Sequence, residues 1–275
     1  MAINTDRIPI IEAALDSWRD WSSLKIAHGR PQLGSLIGEG TSNRVYKLHS
    51  PDQRVLRYRH KSHNLSVNEA LQEIAIWKFL ANVGLAPKVY YHSDGGDVVI
   101  TDHLIFSDIS QEEHAHLLRR IHGFRPGASR LVLTHVAETY RAAIGSANAA
   151  ELTIDPQAKP IRRDLALLDS EPPVFCHNDL SSRNIGRLGE KFLAIDWEYA
   201  SMGSQHFDVA SASEGMEHNT RLKFAVMALE NTFNDSLWAA ACRAVPLINY
   251  LWAMATANLA IARSLQETIE ESYTR

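Results

Sequence analysis

Residues 172–212 constrain this chain more than any other stretch. His177-Asn178-Asp179 is followed five positions later by Asn184, and Asp196 of Ile195-Asp196-Trp197-Glu198 comes twelve residues after that. Val174-Phe175-Cys176 reads as a short buried strand leading into the first acidic loop. Lys191 to Ile195 reads as a second strand that delivers Asp196 at its end, with Gly186 and Gly189 supplying the turn between them. A carboxylate at the end of an apolar strand is costly unless it serves a ligand. The set also has the parts needed to handle a nucleoside triphosphate and its metal. In an H-x-D-x-x-x-x-N loop the aspartate can accept a hydroxyl proton and the asparagine can hold a magnesium ion, while a later aspartate holds a bridging one.

The run CHNDLSSRN…AIDWEYASMGSQHFDVAS resembles the aminoglycoside phosphotransferase and choline kinase superfamily. Its Ile-Asp-Trp-Glu-Tyr-Ala stretch is most similar to bacterial thiamine kinases and choline or ethanolamine kinases. The resemblance is strongest over residues 172–212, weaker but ordered over 33–103, and vague elsewhere. It implies an α+β, protein-kinase-like, two-lobed fold. The small N-terminal lobe, residues 1–103, has an antiparallel sheet and one main helix and binds nucleotide. The larger, mostly helical lobe, residues 104–275, carries catalysis and the acceptor. It further implies that Asp179, Asn184 and Asp196 are catalytic, that Asn184, Asp196 and Glu198 are magnesium ligands, and that Asp208 supports the loop backbone.

In the first lobe, residues 8–28 read as an amphipathic helix. Leu33 to Ile37, Gly38-Glu39-Gly40-Thr41-Ser42-Asn43 and Val45 to Leu48 form strand, turn, strand. Glycines let a backbone approach phosphate oxygens, and the Thr41 and Ser42 hydroxyls can donate to them. Gly38, Gly40, Thr41, Ser42 and Asn43 are therefore candidate ATP contacts. Arg54 to Arg59 alternates as a strand, with Val55, Arg57 and Arg59 on one face and Leu56 and Tyr58 on the other. The resemblance puts Arg57 where protein kinases carry a phosphate-binding lysine, with Arg59 as its competitor. An arginine there stays charged and can grip phosphate bidentately. Val67 to Val83 reads as a helix, with Leu71, Ile74, Ala75, Lys78 and Phe79 at helical spacing. Glu73, or Glu69 one turn earlier, matches the helix glutamate that orients the basic residue. A hairpin over 86–101 leads to Asp102-His103-Leu104, the expected link.

In the second lobe, Ser110 to His122 reads as a helix with Glu112 and Glu113 in its first turn. The segments 132–144, 162–170, 219–234 and 236–271 read as further helices. His114, His116 and His122 are expected at the surface or capped rather than around a metal. Trp238, Tyr250 and Trp252 are at core-like spacing, although with Trp197 and Tyr199 they offer aromatic faces that a cation would use.

The net charge of −4 and the lack of a basic stripe argue against nucleic acid. The most apolar stretch, 239–262, contains Arg243, Pro246, Asn249 and Asn258, which disfavours a membrane span. Met1 to Trp18 lacks a signal-peptide apolar centre, and the two cysteines read as reduced thiols, so a cytoplasmic location is expected. The expected reaction moves the ATP γ-phosphoryl group to a small cationic alcohol. Thiamine leads, choline or ethanolamine follows, and aminoglycosides are third. The other class is a nucleotide-binding regulator without turnover, against which Asp179, Asn184 and Asp196 speak. A protein kinase is disfavoured because no A-P-E segment follows Asp196. Oligomeric state is left open.

Overall fold

The computed structural model describes residues 8–22, 29–50, 52–60, 65–145, 148 and 152–274. In chain order its elements begin with α1 (Ile8–Asp16), α2 (Trp18–Trp21), β1 (Gln32–Glu39), β2 (Asn43–His49), β3 (Arg54–Arg59), α3 (Ala70–Asn82), β4 (Val89–His92) and β5 (Val98–Asp102). There follow α4 (Gln111–His122), α5 (Leu133–Ala143), α6 (Lys159–Asp169), β6 (Val174–Cys176), β7 (Ile185–Leu188), β8 (Lys191–Ala194) and β9 (Ser201–Gly203). The last are α7 (Gln205–Ala212), α8 (His218–Leu229), α9 (Asp235–Ala255) and α10 (Leu259–Thr274). The chain divides into two compact units, Met1–Asp108 with Ile185–Glu198, and Ile109–Asn184 with Tyr199–Arg275.

The first unit is built on a five-stranded sheet of order β1-β2-β3-β5-β4, antiparallel at every pairing. The alternation read over Arg54 to Arg59 has a direct structural counterpart. Leu56 and Tyr58 join Ile11, Leu15, Trp18 and Trp21 in one buried cluster, which seats α1 and α2 on that face of the sheet. Arg57 and Arg59 point the other way and meet Glu73 of α3. The helix expected over 8–28 is interrupted at Ser17, and residues 23–28 lie outside the described ones.

Helix α3 presents a different face from the one its apolar spacing suggested. Glu73, Ile74, Ile76, Trp77 and Leu80 are buried, whereas Leu71 and Phe79 are exposed. The two arginines opposite Glu73 decide the rotation, because a buried carboxylate needs its partners on the same side. The β7–β8 hairpin belongs to this unit and is fastened by Ala194 N–H donating to Leu85 O at 2.9 Å, and by paired bonds between Ile105 and Arg187. Gly189, at φ +61, makes the hairpin turn. Gly186 lies within β7 instead of the turn, and a Cβ there would stand 2.7 Å from Leu104 Cβ.

The second unit is mostly helical. Ser110 caps α4 by accepting from Glu113 N–H at 3.2 Å, while the Glu113 carboxylate accepts from Ser110 N–H, so two backbone donors at the helix start are satisfied. Strand β6 pairs with β9. Helix α9 supplies much of the core through Ala240, Ala241, Ala244, Leu247 and Leu251. The single helix expected over 236–271 is two helices. Ala257 adopts φ 59, Asn258 N–H donates to Ala253 O at 2.8 Å, and Ala257 N–H donates to Met254 O at 3.2 Å. These bonds form a Schellman-type stop with alanine in the left-handed position. Among the described residues, no helix is long and apolar enough to cross a membrane.

Candidate active site

In the second unit, β6 delivers the loop that starts at His177. Three donors converge on the fully buried Asp208 of α7. Its Oδ2 accepts from His177 N–H at 3.1 Å and from His122 Nε2 at 2.9 Å, and its Oδ1 accepts from Asn178 N–H at 2.6 Å. Burial alone would raise this carboxyl, but bonding to His122, His177 and Asn178 holds it below its ordinary range. Asn178 turns the chain in the left-handed region, φ 65, and its amide donates to Tyr199 O and Ser201 Oγ at 2.9 and 2.8 Å. Within this frame, Asn184 Nδ2 donates to Asp179 Oδ2 at 3.0 Å and to Asp179 O at 2.7 Å. The Asn184 amide nitrogen is thereby committed, so its oxygen is the atom left to face a ligand.

The first unit holds a charged cluster of its own. Arg57 donates to both Glu73 oxygens, at 2.5 and 3.0 Å, and its guanidinium lies 5.0 Å from the Trp77 ring centroid. Arg59 reaches Glu73 Oε2 as well, so the competition between the two arginines ends with both on one carboxylate. Glu69 is exposed at the helix start and takes no such role. Burial would raise Glu73, yet Arg57 and Arg59 hold it below its ordinary value.

Asp196 and Glu198 complete this cluster. Asp196 leaves β8 with φ 67, and its Oδ1 is shut off from solvent with no hydrogen-bond partner among the described residues. Burial, then the charges of Glu198 and Glu73, raise its carboxyl to about 7. Glu198 is buried and shifted upward by burial and by Glu73. Three carboxyls crowd two guanidiniums and Asp196 keeps a bare oxygen, a hard donor set that fits magnesium.

The glycine turn is tighter than its sequence suggested. Gly38 pairs with Val45 inside the β1–β2 ladder, and Asn43 pairs with Arg59. Only Gly40, Thr41 and Ser42 lie between the strands, closed by Gly40 N–H on Asn43 O at 2.8 Å. Thr41 is exposed and Ser42 is buried.

Trp197 is fully buried and offers no ring face to a ligand. In the second unit, the Trp238 ring already has the Arg221 guanidinium 5.5 Å away, and Tyr250 OH accepts from Thr153 N–H at 3.2 Å. Trp238 and Tyr250 are buried, as their spacing suggested, and Trp252 is half-buried. Of the α4 histidines only His116 is exposed. His114 bonds to Leu180 O at 2.8 Å, and His122 sits near Cys176 and Asp208. That trio is closed to other chemistry, since burial raises the Cys176 thiol well above its usual value and Asp208 is already bonded to the loop. The sequence reading missed Asn68 and Ser66. Asn68 was hidden inside a helix started three residues too early.

The phosphotransferase enzyme family model matches residues 34–246. Two relatives are Protein LicA homologs. That of Metamycoplasma hominis is 38% identical over 82 residues, 30% of this chain and 32% of that protein's length. That of Mycoplasma capricolum subsp. capricolum is 23% identical over 199 residues, 72% of this chain and 80% of that one. Among solved structures, the choline kinase LicA from Streptococcus pneumoniae superposes with a TM-score of 0.73 at 15% identity, covering 97% of this chain and 98% of that one. A choline/ethanolamine kinase family protein from Mesorhizobium loti gives 0.71 at 18% identity, covering 96% and 94%. The fold is kinase-like. The chain belongs to the phosphotransferase enzyme family.

Proposed function

We propose that this phosphotransferase moves the γ-phosphoryl group of ATP to the hydroxyl of a small cationic alcohol of the choline or ethanolamine type. The observation that carries the reaction is the Asp179–Asn184 pair, held on a loop whose backbone is bonded to Asp208. Asp179, held by that bond, orients the acceptor hydroxyl and takes its proton. Asp196 and Glu198 would hold Mg2+, and the family resemblance adds the Asn184 amide oxygen as a ligand; the ion would supply charge neutralisation for the transferred phosphoryl group. Arg57, bidentate on Glu73, contributes a fixed positive charge toward the phosphates. The turn contributes Thr41 and the glycine-lined backbone of Gly38 and Gly40, with Ser42 and Asn43 shaping it. Because such a reaction needs positioning and charge neutralisation more than covalent chemistry, fixed groups of this kind suffice.

The choice of acceptor is supported by the names of the LicA homologs and the choline and ethanolamine kinases reported above. Thiamine was favoured from the Ile195–Ala200 run, but none of those relatives is a thiamine kinase, and the burial of Trp197 removes the ring expected to stack on it. A coupled ADP-release assay across choline, ethanolamine, thiamine, kanamycin and a neutral sugar alcohol tests the reading. Choline or ethanolamine is expected to turn over with the highest kcat/KM. Turnover confined to thiamine restores that acceptor, and turnover with the neutral alcohol alone defeats the proposal.

A further inference from the structure

We infer that Asn68 is a positioning residue for the acidic segment 196–198. The inference rests on the proposed role of Asp196 and Glu198 as metal ligands. The segment follows β8 but belongs to no strand, so its backbone carbonyls need donors from elsewhere. Asn68 supplies two. Its Nδ2 donates to Trp197 O at 3.1 Å, and its own N–H donates to Glu198 O at 3.0 Å. The side chain is 1% exposed. Two residues earlier, Ser66 Oγ donates to Glu198 Oε2 at 3.3 Å. One short stretch thus grips the backbone and one side chain of a segment about 130 positions away in sequence.

The same stretch leads directly into α3, whose Glu73 holds Arg57 and Arg59. Asn68 therefore sets the acidic segment against the helix that carries the arginine clamp. Leucine has a similar volume but no donor. Aspartate would accept where a donor is needed, and would add a fourth carboxylate beside Glu73, Asp196 and Glu198. Groups that orient metal ligands in this way typically change metal affinity or activity 10–100-fold when removed.

The test compares wild type, Asn68→Ala, Asn68→Asp and Ser66→Ala in the full chain. Mn2+ binding in the presence of ADP is followed by water-proton relaxation, alongside metal-free ADP affinity and melting temperature. Asn68→Ala is expected to weaken Mn2+ binding roughly 10–100-fold while metal-free ADP affinity is retained. Asn68→Asp is expected to weaken it at least as much, because added negative charge cannot rescue a lost donor. A lowered melting temperature with unchanged Mn2+ affinity overturns the inference, leaving Asn68 a structural pin. Should Asn68→Ala fail to fold, Ser66→Ala decides, since weaker Mn2+ binding supports the strap and unchanged binding overturns it. Absent wild-type turnover with every alcohol counts against the proposed acceptor alone, because the metal readings do not depend on catalysis.

Discussion

Asp179 has one oxygen committed to Asn184 and sits on a loop anchored at Asp208. Asp179→Asn keeps the shape and removes the proton acceptor. We expect kcat to fall ~10²–10⁴-fold, the usual contribution of a general base, with nucleotide affinity unchanged in calorimetry. A near-wild-type rate removes Asp179 from the chemistry. Glu73 is a different kind of residue. It is fully buried beneath two guanidiniums, so Glu73→Gln leaves both without their counter-charge. Breaking a buried pair from one side costs about 3–5 kcal/mol, which a urea titration reads as a lower midpoint with an unchanged slope. The contrast shows what was legible at this scale. Asp179, Asn184 and Asp196 stood out because their spacing is rare and their chemistry specific. Asn68 did not, because it fell inside the helix read from Val67, where a single asparagine looks like any other helix residue. Its partners lie in a segment that only the folded chain brings near.

At the scale of elements, β3 and its two faces followed from alternation alone, since period two leaves no choice once Leu56 and Tyr58 find a core. Helix α3 was legible in position and not in rotation. Its apolar residues permit two faces, and the choice rests with Glu73, whose partners are on a strand. The division between α9 and α10 was hidden for a related reason. A helix stop usually announces itself with glycine, and here Ala257 occupies that position at φ 59. Placing an L-residue there costs roughly 1–2 kcal/mol, part of which glycine's greater freedom in the unfolded chain offsets. Ala257→Gly is therefore expected to raise stability by roughly 0.5–1 kcal/mol in a denaturant titration. A loss of stability would show that the stop is not strained. Gly186 tests the opposite case, because a methyl group there meets Leu104 Cβ at 2.7 Å. Gly186→Ala should destabilise by about 1–3 kcal/mol, as overpacked sites do.

For the whole molecule, three buried carboxylates set the acid limit. Asp208, Glu73 and Glu171 each lie below their ordinary range. Burial would raise all three, and bonding to His122, to Arg57 with Arg59, and to His206 with Ser204 outweighs it. A carboxyl depressed in the folded state contributes stability that is present above its unfolded pKa, about 4, and lost as pH falls through the folded value. The melting temperature should therefore drop steeply below about pH 4, and Asp208→Asn should flatten part of that drop while lowering stability at pH 7. An unchanged acid profile in Asp208→Asn would assign the limit to other groups.

The first unit is discontinuous, since its sheet ends by residue 108 while the β7–β8 hairpin that packs beneath Leu85 and Leu104 arrives only at residue 185. On a ribosome the sheet is made first and must wait for that hairpin, with roughly 4–15 s of synthesis between them at about 5–20 residues per second. During that interval Leu85 O lacks its Ala194 donor and Leu104 lacks its contact with Gly186. The first unit is therefore expected to close only after residue 194 has been made, and slowed translation across residues 109–184 would lengthen that wait.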